Sequence, residues 1–325
     1  MSNTTQNTGA FINDEVYSSM IITNLHDVML PEVFYRNVSD FGSGTTLTIK
    51  TVGTRSIQDA SENSDLAYSP VDSNTITMTI SEYVGDAIYF TDKLKEDGTQ
   101  VEAMIAMSAI ETARAIEEDF ETKFLKAAYS AQTLADKNLV NGFAHRIKAS
   151  GTNTTLTEAD LIDMALAFDK ANVPMRGRVA IVDPVVAATF NKKVQLSAGL
   201  DRNPMYQAAW ESGFAKEHKF IGNIFGWDIY VSNRLPRVDT GLNVDGTAIF
   251  TESASGFGGV ANLFMCIADD NCKPVMAAWR RQPRSESERN KDKRRDETVT
   301  TARYGFGVQR KDTLGVIITD VKATA

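Results

Sequence analysis

Two alternating, β-branched runs stand on either side of a stretch that cannot contribute to any core. TLTIKTV (46–52) and TITMTISEYVGDAIYF (75–90) repeat with the two-residue period of a half-buried strand. Between them RSIQDASENSDLAYSPVD (55–72) carries four acids, Asp59, Glu62, Asp65 and Asp72, against the single cation Arg55, with few large apolar groups. Such a segment neither forms nor covers a core. The sequence therefore predicts a long two-stranded ribbon that ends in an exposed acidic loop. An isolated hairpin is marginal in water, so this one needs another surface to lie on.

After KEDGT (95–99) the period changes. Val101, Ile105, Ala109, Ala113, Ile116, Phe120 and Phe124 recur at three- and four-residue spacing, while Glu111, Arg114, Glu118 and Glu121 fall on the other side. This spacing predicts one helix over 99–128, roughly 45 Å long at 1.5 Å per residue. Its stripe reads as structural core, led by Val101, Ile105, Ile116, Phe120 and Phe124, and not as a cofactor site.

Shorter elements follow. In TLTEADLIDMALAFDKANVP (155–174), Thr157 is an N-cap with Asp160 three residues on, a weaker relative of the capping-box acid. RVAIVDP (178–184) reads as a strand closed by Asp183 as N-cap and Pro184 at the first helical position. FIGNIFGWDIYVSNRLP (220–236) gives a glycine turn and an apolar strand, and TAIFTES (247–253) and ANLFMCIAD (261–269) add strands. The C-terminal TVTTARYGFGVQRKDTLGVIITDVKATA reads as two strands around a Lys-Asp turn. Before the ribbon, residues 1–15 are polar, and VYSSMIITNLHDVMLPEVF (16–34) gives an arm with a short helix interrupted at Pro31.

Charge limits the function classes. The segment RRQPRSESERNKDKRRD (280–296) holds eight Lys or Arg and four acids in a chain of net charge −8, so the rest of the chain stands at −12. That balance argues against a broad phosphate-binding face. Within the segment, Glu286, Glu288, Asp292 and Asp296 alternate with the cations, the pattern of a solvated strand or loop that pairs locally. Three readings of it stay open: a solvated loop, a nucleic-acid contact, and a contact between subunits. No signal-peptide pattern and no run of spanning length occurs, which points to a cytoplasmic chain without a membrane partner. The Asn-x-Ser/Thr matches at Asn3, Asn37 and Asn153 are then chance.

Few residues carry a chemical signature. Cys266 and Cys272 fit neither a disulfide framework nor a zinc spacing, and His26, His145 and His218 lie far apart without metal-ligand patterns. Asp239-Thr240-Gly241 matches the core of an aspartic protease site, but it has turn-rich flanks and no second copy. The same region, to Gly246, lacks calcium-loop offsets. GFGG (256–259) and GFG (305–307) lack what a phosphate cradle needs and read as turns or strand glycines. The expectation is no catalytic, cofactor or metal site and no enzyme activity.

In order along the chain, the arm, the acidic-tipped ribbon, the long helix, an α/β lobe and the closing strands resemble the major capsid proteins of tailed bacteriophages, an α+β architecture of the Hong Kong 97 type. NVPMRGRVAIVDP (172–184), FIGNIFGWDIYVSNRLP (220–236) and ARYGFGVQRKDTLGVIITD (302–320) carry the resemblance best. It implies an N-terminal arm (1–41), an E-loop (42–92), a peripheral domain (93–171) containing the spine helix, an axial domain (172–270) and a return to the peripheral domain (271–325). It further implies pentamers and hexamers of the chain closing an icosahedral virion shell around double-stranded DNA, assembled in the host bacterial cytoplasm. A portal protein and a decoration protein are further partners of such shells. Family members with a built-in assembly domain carry a long helical N-terminal extension, whereas about 15 polar residues precede Val16 here, which implies a separate scaffolding protein. By the same resemblance the E-loop crosses a neighbour's peripheral domain. That would set Asp59, Glu62, Asp65 and Asp72 against Arg289, Lys291, Lys293, Arg294 and Arg295 of another subunit. An encapsulin-like nanocompartment holding protein cargo is the alternative with the same fold; a hydrolase using Asp239 and a nucleic-acid-binding module using 280–296 are the alternatives from other classes.

Overall fold

The computed structural model describes residues 30, 32–38, 44–53, 57–60, 62, 65, 68, 70, 73–98, 101–131, 138–197, 220–238 and 259–321. In chain order they form β1 (Arg36–Asn37), β2 (Thr46–Val52), β3 (Ser73–Thr91), α1 (Asp92–Asp97), α2 (Val101–Ser130), β4 (Leu139–Val140), β5 (Phe143–Ala144) and β6 (Arg146–Lys148). There follow α3 (Glu158–Lys170), β7 (Arg178–Val182), α4 (Pro184–Ser197), β8 (Phe220–Ile224), β9 (Trp227–Val231), β10 (Arg237–Val238), β11 (Gly259–Cys266), β12 (Val275–Asn290), β13 (Arg295–Val308) and β14 (Leu314–Asp320). The arm before Leu30, the TAIFTES segment, Asp239, His26 and His218 lie outside the described residues.

The strands divide between two large sheets, in the orders β1-β12-β13-β3-β2 and β6-β14-β11-β7-β9-β8, with β10 beside β11. Every residue of β7 and β11 is buried, as their mainly apolar runs require of strands covered on both faces, with Arg178 and Asn262 the polar exceptions. On one face of that second sheet lie Leu161, Met164 and Phe168 of α3 and Val186 and Phe190 of α4, against Trp227, Phe264 and Ile317. On the other face, Phe124, Leu125 and Ala128 of α2 meet Ile181, Leu263, Met265, Val316 and Ile318. The C-terminal half of the long helix is therefore held between the second sheet and the root of the first.

Local chemistry sets the element ends. Asp160 N–H donates to Thr157 Oγ1 at 3.4 Å and Thr157 N–H to Asp160 Oδ2 at 2.8 Å, a full capping box at α3. Val185 N–H donates to Asp183 Oδ2 at 2.9 Å, and Pro184 opens α4. Between β8 and β9, Phe225 and Gly226 both take positive φ, 51° and 82°, the demand of a two-residue turn matched to strand twist.

Two expectations are corrected and a third is narrowed. The ribbon is two-stranded only in part: β2 pairs β3 over Ser73–Thr79, and from Thr79 to Thr91 β3 pairs β13 instead. It therefore extends a sheet edge to edge. The two closing strands do not pair with each other, because β13 joins the first sheet and β14 the second. Their burial gives the reason: six of the seven residues of β14 are buried and need cover on both faces, while β13 alternates and leaves one face to solvent. For the basic segment 280–296, read as a solvated strand or loop, the loop gives way to the strand. The segment is most of β12, a turn at 291–294, and the start of β13.

Gly305 shows how tightly β13 meets β3. A Cβ there would lie 2.5 Å from the Thr79 carbonyl oxygen and 2.6 Å from Ile80 Cα, at the register shift between Tyr304 and Phe306. The GFG motif consists of strand glycines admitting a close backbone approach.

Candidate functional site

The long helix carries two registers along its length. Ile116, Phe120 and Phe124 are buried, with Phe120 stacked on Trp279 at 4.5 Å and edge-on to Tyr304 at 5.1 Å, whereas Val101 and Ile105 are only half-buried. Ala109 and Ala113, placed in the stripe by spacing, are exposed, and Thr112 is buried in their stead. Thr112 Oγ1 donates to Asp86 Oδ2 of β3 at 2.7 Å, so the first half of the helix lies over the polar face of the projecting sheet.

Glu121 reverses the sequence reading. Set on the polar side by spacing, it is 6% exposed and accepts hydrogen bonds from Leu30 N–H at 3.1 Å, Ser232 Oγ at 3.1 Å and Arg234 Nη1 at 3.2 Å. Arg234 also reaches Glu118 at 2.9 Å. Across the helix from Glu121, Tyr304 donates to Asp119 Oδ2 at 2.5 Å, and Lys123 bridges Asp119 at 2.8 Å and Glu82 at 2.7 Å. Burial alone would lower the Lys123 ammonium, but its hydrogen bonds to the two carboxylates outweigh burial and raise it. Together these groups tie the helix to the arm, to the exit of β9 and to the root of the projecting sheet. Beside them, Tyr35, Phe120, Trp279, Glu32 and Glu117 line a cavity of about 390 Å³.

The first sheet then runs past its core. From Pro283 to Arg289, β12 is exposed, and among the described residues β1 pairs its outer edge only at Met276 and Ala277. On the face away from α2, Arg281, Arg303 and Tyr83 stand directly opposite one another on β12, β13 and β3. Arg281 donates to Thr301 Oγ1 at 2.5 Å and to Tyr83 Oη at 3.3 Å, with its guanidinium 5.5 Å from the Tyr83 ring. Ser81, Tyr83, Arg280, Arg281 and Arg303 line an open concavity of about 560 Å³.

At the far end the charges pair locally. Arg289 forks onto Asp92 at 2.8 and 3.2 Å and reaches Asp296 at 3.4 Å; Lys95 also pairs with Asp296. Arg295 holds Glu297 at 2.6 Å and lies 4.3 Å from the Tyr89 ring centroid. Lys95 first, then Arg289, hold the Asp296 carboxyl below its ordinary value, and Arg295 does the same to Glu297. Of the five cations singled out from sequence, Arg289 and Arg295 are thus engaged within the chain, while Lys291, Lys293 and Arg294 are exposed in the turn. Asp59, Glu62 and Asp65 are exposed as well, beside an almost fully exposed Ile57 and a fully exposed Tyr68; Asp72 lies outside the described residues. Among the described residues, no ion pair joins the loop acids to the turn cations within one chain.

The remaining reactive groups sit in packing. His145 is buried, donates from Nδ1 to the Phe143 carbonyl at 3.2 Å and lies 5.5 Å from the Phe168 ring, and burial lowers its pKa. Burial likewise raises the Cys266 thiol. Among the described residues no group of three His, Cys, Asp or Glu could hold a metal ion, and no helix is long and apolar enough to cross a membrane.

The family model described as phage capsid protein matches residues 73–319, from the start of β3 almost to the end of β14. The chain belongs to that family. It is a shell-forming structural protein of the virion, and self-association is intrinsic to that role. No curated protein matches this capsid protein in sequence. Among solved structures it is similar to the capsid of the cyanophage P-SCSP1u, 18% identical over 96% of this chain and 93% of that one, with a TM-score of 0.65. It is also similar to the mature capsid of bacteriophage PhiM1, 15% identical over 99% and 97% with a TM-score of 0.66. The holo-SrpI encapsulin complex from Synechococcus elongatus PCC 7942 shares the architecture at 11% identity, 95% of each chain and a TM-score of 0.59. The capsid protein thus has the Hong Kong 97-type α+β fold that its segment order resembles.

Proposed function

We propose that the capsid protein is the repeating subunit of a closed icosahedral shell, assembled as pentamers and hexamers in the host bacterial cytoplasm around double-stranded DNA. One observation carries this reading: the first sheet continues beyond its core as an exposed platform whose outer edge has no partner strand among the described residues, joined at its other end to a ribbon that rests only on the small Met78, Ile80, Met276 and Ala278 cluster and leads into exposed acids. In a lone subunit these are liabilities, and a symmetric lattice supplies the missing surface. A scaffolding protein, a portal and a decoration protein complete the proposed set of partners.

The division into arm (1–41), E-loop (42–92), peripheral domain (93–171 and 271–325) and axial domain (172–270) belongs to the same proposal. It is supported by the first sheet, which joins β3 to β12 and β13 from the far side of 172–270. It is modified at β6, α3 and β14, which belong to the second sheet and its helical layer. The acidic loop of one subunit would then lie against the basic hairpin 280–296 of the next, with Lys291, Lys293 and Arg294 steering the encounter.

Negative-stain microscopy of the expressed protein tests the reading. Shells or ring-shaped capsomers are expected, and a monodisperse monomer at high concentration overturns it. The likeness to an encapsulin supports a second reading with the same fold, in which the shell holds protein; the contents of purified shells decide between them.

A further inference from the structure

On the solvent face of the projecting sheet, Arg281 and Arg303 occupy directly opposed positions on neighbouring strands, with Tyr83 completing the row on the third. Like charges placed so destabilise a sheet. Among the described residues neither guanidinium has a carboxylate partner, although Arg284, Arg289 and Arg295 on the same hairpin each do. Arg281 Nε is buried with no hydrogen-bond acceptor. Hydroxyl groups of Tyr83 and Thr301 fix the Arg281 fork, and the row opens onto the concavity that Arg280 and Ser81 also line. The opposition of the two guanidiniums works against folding of the single chain, and an oxyanion seated across the two forks would relieve it.

We infer that the Arg281–Arg303–Tyr83 row is the seat for the acidic loop of a second copy, taking the carboxylates of Asp59, Glu62 or Asp65. The inference rests on the shell reading and names the seat of its loop contact, moving it from the hairpin turn to the hairpin root. Charge complementarity favours this occupant: the loop acids are exposed and no ion pair is formed by them among the described residues. The chain's own loop starts at the far end of β3. Ten residues of strand separate Ser73 from Tyr83, about 33 Å at the rise of an extended strand, so another subunit is the natural donor. A chain of net charge −8 is a poor match for a phosphate backbone.

The test uses the full-length chain and Arg303→Gln. Unassembled Arg303→Gln should melt about 1 to 3 °C higher than wild type, because the like-charge pair is gone. The same variant should assemble roughly tenfold more slowly at low salt, with the gap closing as salt is added. Arg294→Gln in the turn should change both quantities less. Arg303→Glu should block assembly, and Asp59→Lys with Glu62→Lys in the same chain should partly restore it. Wild-type assembly by Arg303→Gln, or a lower melting temperature, overturns the inference while leaving the shell reading intact. Normal assembly with reduced DNA content would place the row on DNA and equally overturn it. A wild-type chain that never assembles would overturn the shell reading and this seat together.

Discussion

Replacing Glu121 separates a buried structural carboxylate from the solvated helix charge that its spacing implies. Its Oε2 accepts from Leu30 N–H and Arg234 Nη1, and its Oε1 from Ser232 Oγ, at 3.1 to 3.2 Å with 6% of the side chain exposed. In Glu121→Gln the amide oxygen can keep the first two donors while the amide nitrogen donates to Ser232 Oγ. The loss is then charge assistance alone, about 1 to 2 kcal/mol. Glu121→Ala leaves the Leu30 N–H without its acceptor and takes one carboxylate from Arg234, which is 13% exposed and retains its pair with Glu118. Removing one partner from a buried pair costs about 3 to 5 kcal/mol, and Glu118 should hold this case to the lower end. Denaturant unfolding of the unassembled subunit measures both variants. A surface glutamate in a helix would cost less than about 0.5 kcal/mol on either change. If Ala and Gln both fall within that margin, the clamp does not hold the helix to the arm and β9; if Gln is as damaging as Ala, the count of retained hydrogen bonds is wrong.

Helix phase is tested by a pair of substitutions: Ile116→Asp should cost several kcal/mol and give insoluble protein, while Ala109→Asp, on an exposed position, should stay soluble. Soluble expression assays of both read the outcome. Burial holds His145 below its ordinary value of 6.5, so as pH falls below about 6.5 the unfolded chain takes the proton first and folding stability declines. In His145→Leu the stability lost between pH 6.5 and 5 should shrink, and an unchanged slope in urea titrations at those pH values would assign the loss to other groups. Trimming the loop between Thr54 and Ser73 to a short turn should leave circular dichroism and melting of the subunit unchanged while shells fail or become misshapen. Normal shells from the trimmed chain would remove the loop from the lattice.

Local signals fixed the elements. The change from a two-residue to a three- and four-residue period marks where β3 gives way to the long helix, and Thr157, Asp183 and Pro184 mark helix starts through backbone donors that only nearby side chains can satisfy. The order of those elements was enough to place the chain among capsid proteins, because ordered agreement across many weak segments constrains a fold more than one motif does. Partnership across the fold was not legible. Alternation in β13 and β14 is compatible with a hairpin, and only the competing demand of β14 for cover on both faces sends it to another sheet. Helix spacing put Glu121 with Glu118 on the polar side and Ala109 and Ala113 in the core, since periodicity knows the helix axis and not where a neighbouring sheet begins or ends. Arg281 and Arg303 lie 22 residues apart in sequence, and nothing in either segment announces the other. Strand register alone sets them face to face, because a one-residue slip in β12 against β13 would turn one of the two guanidiniums to the opposite side.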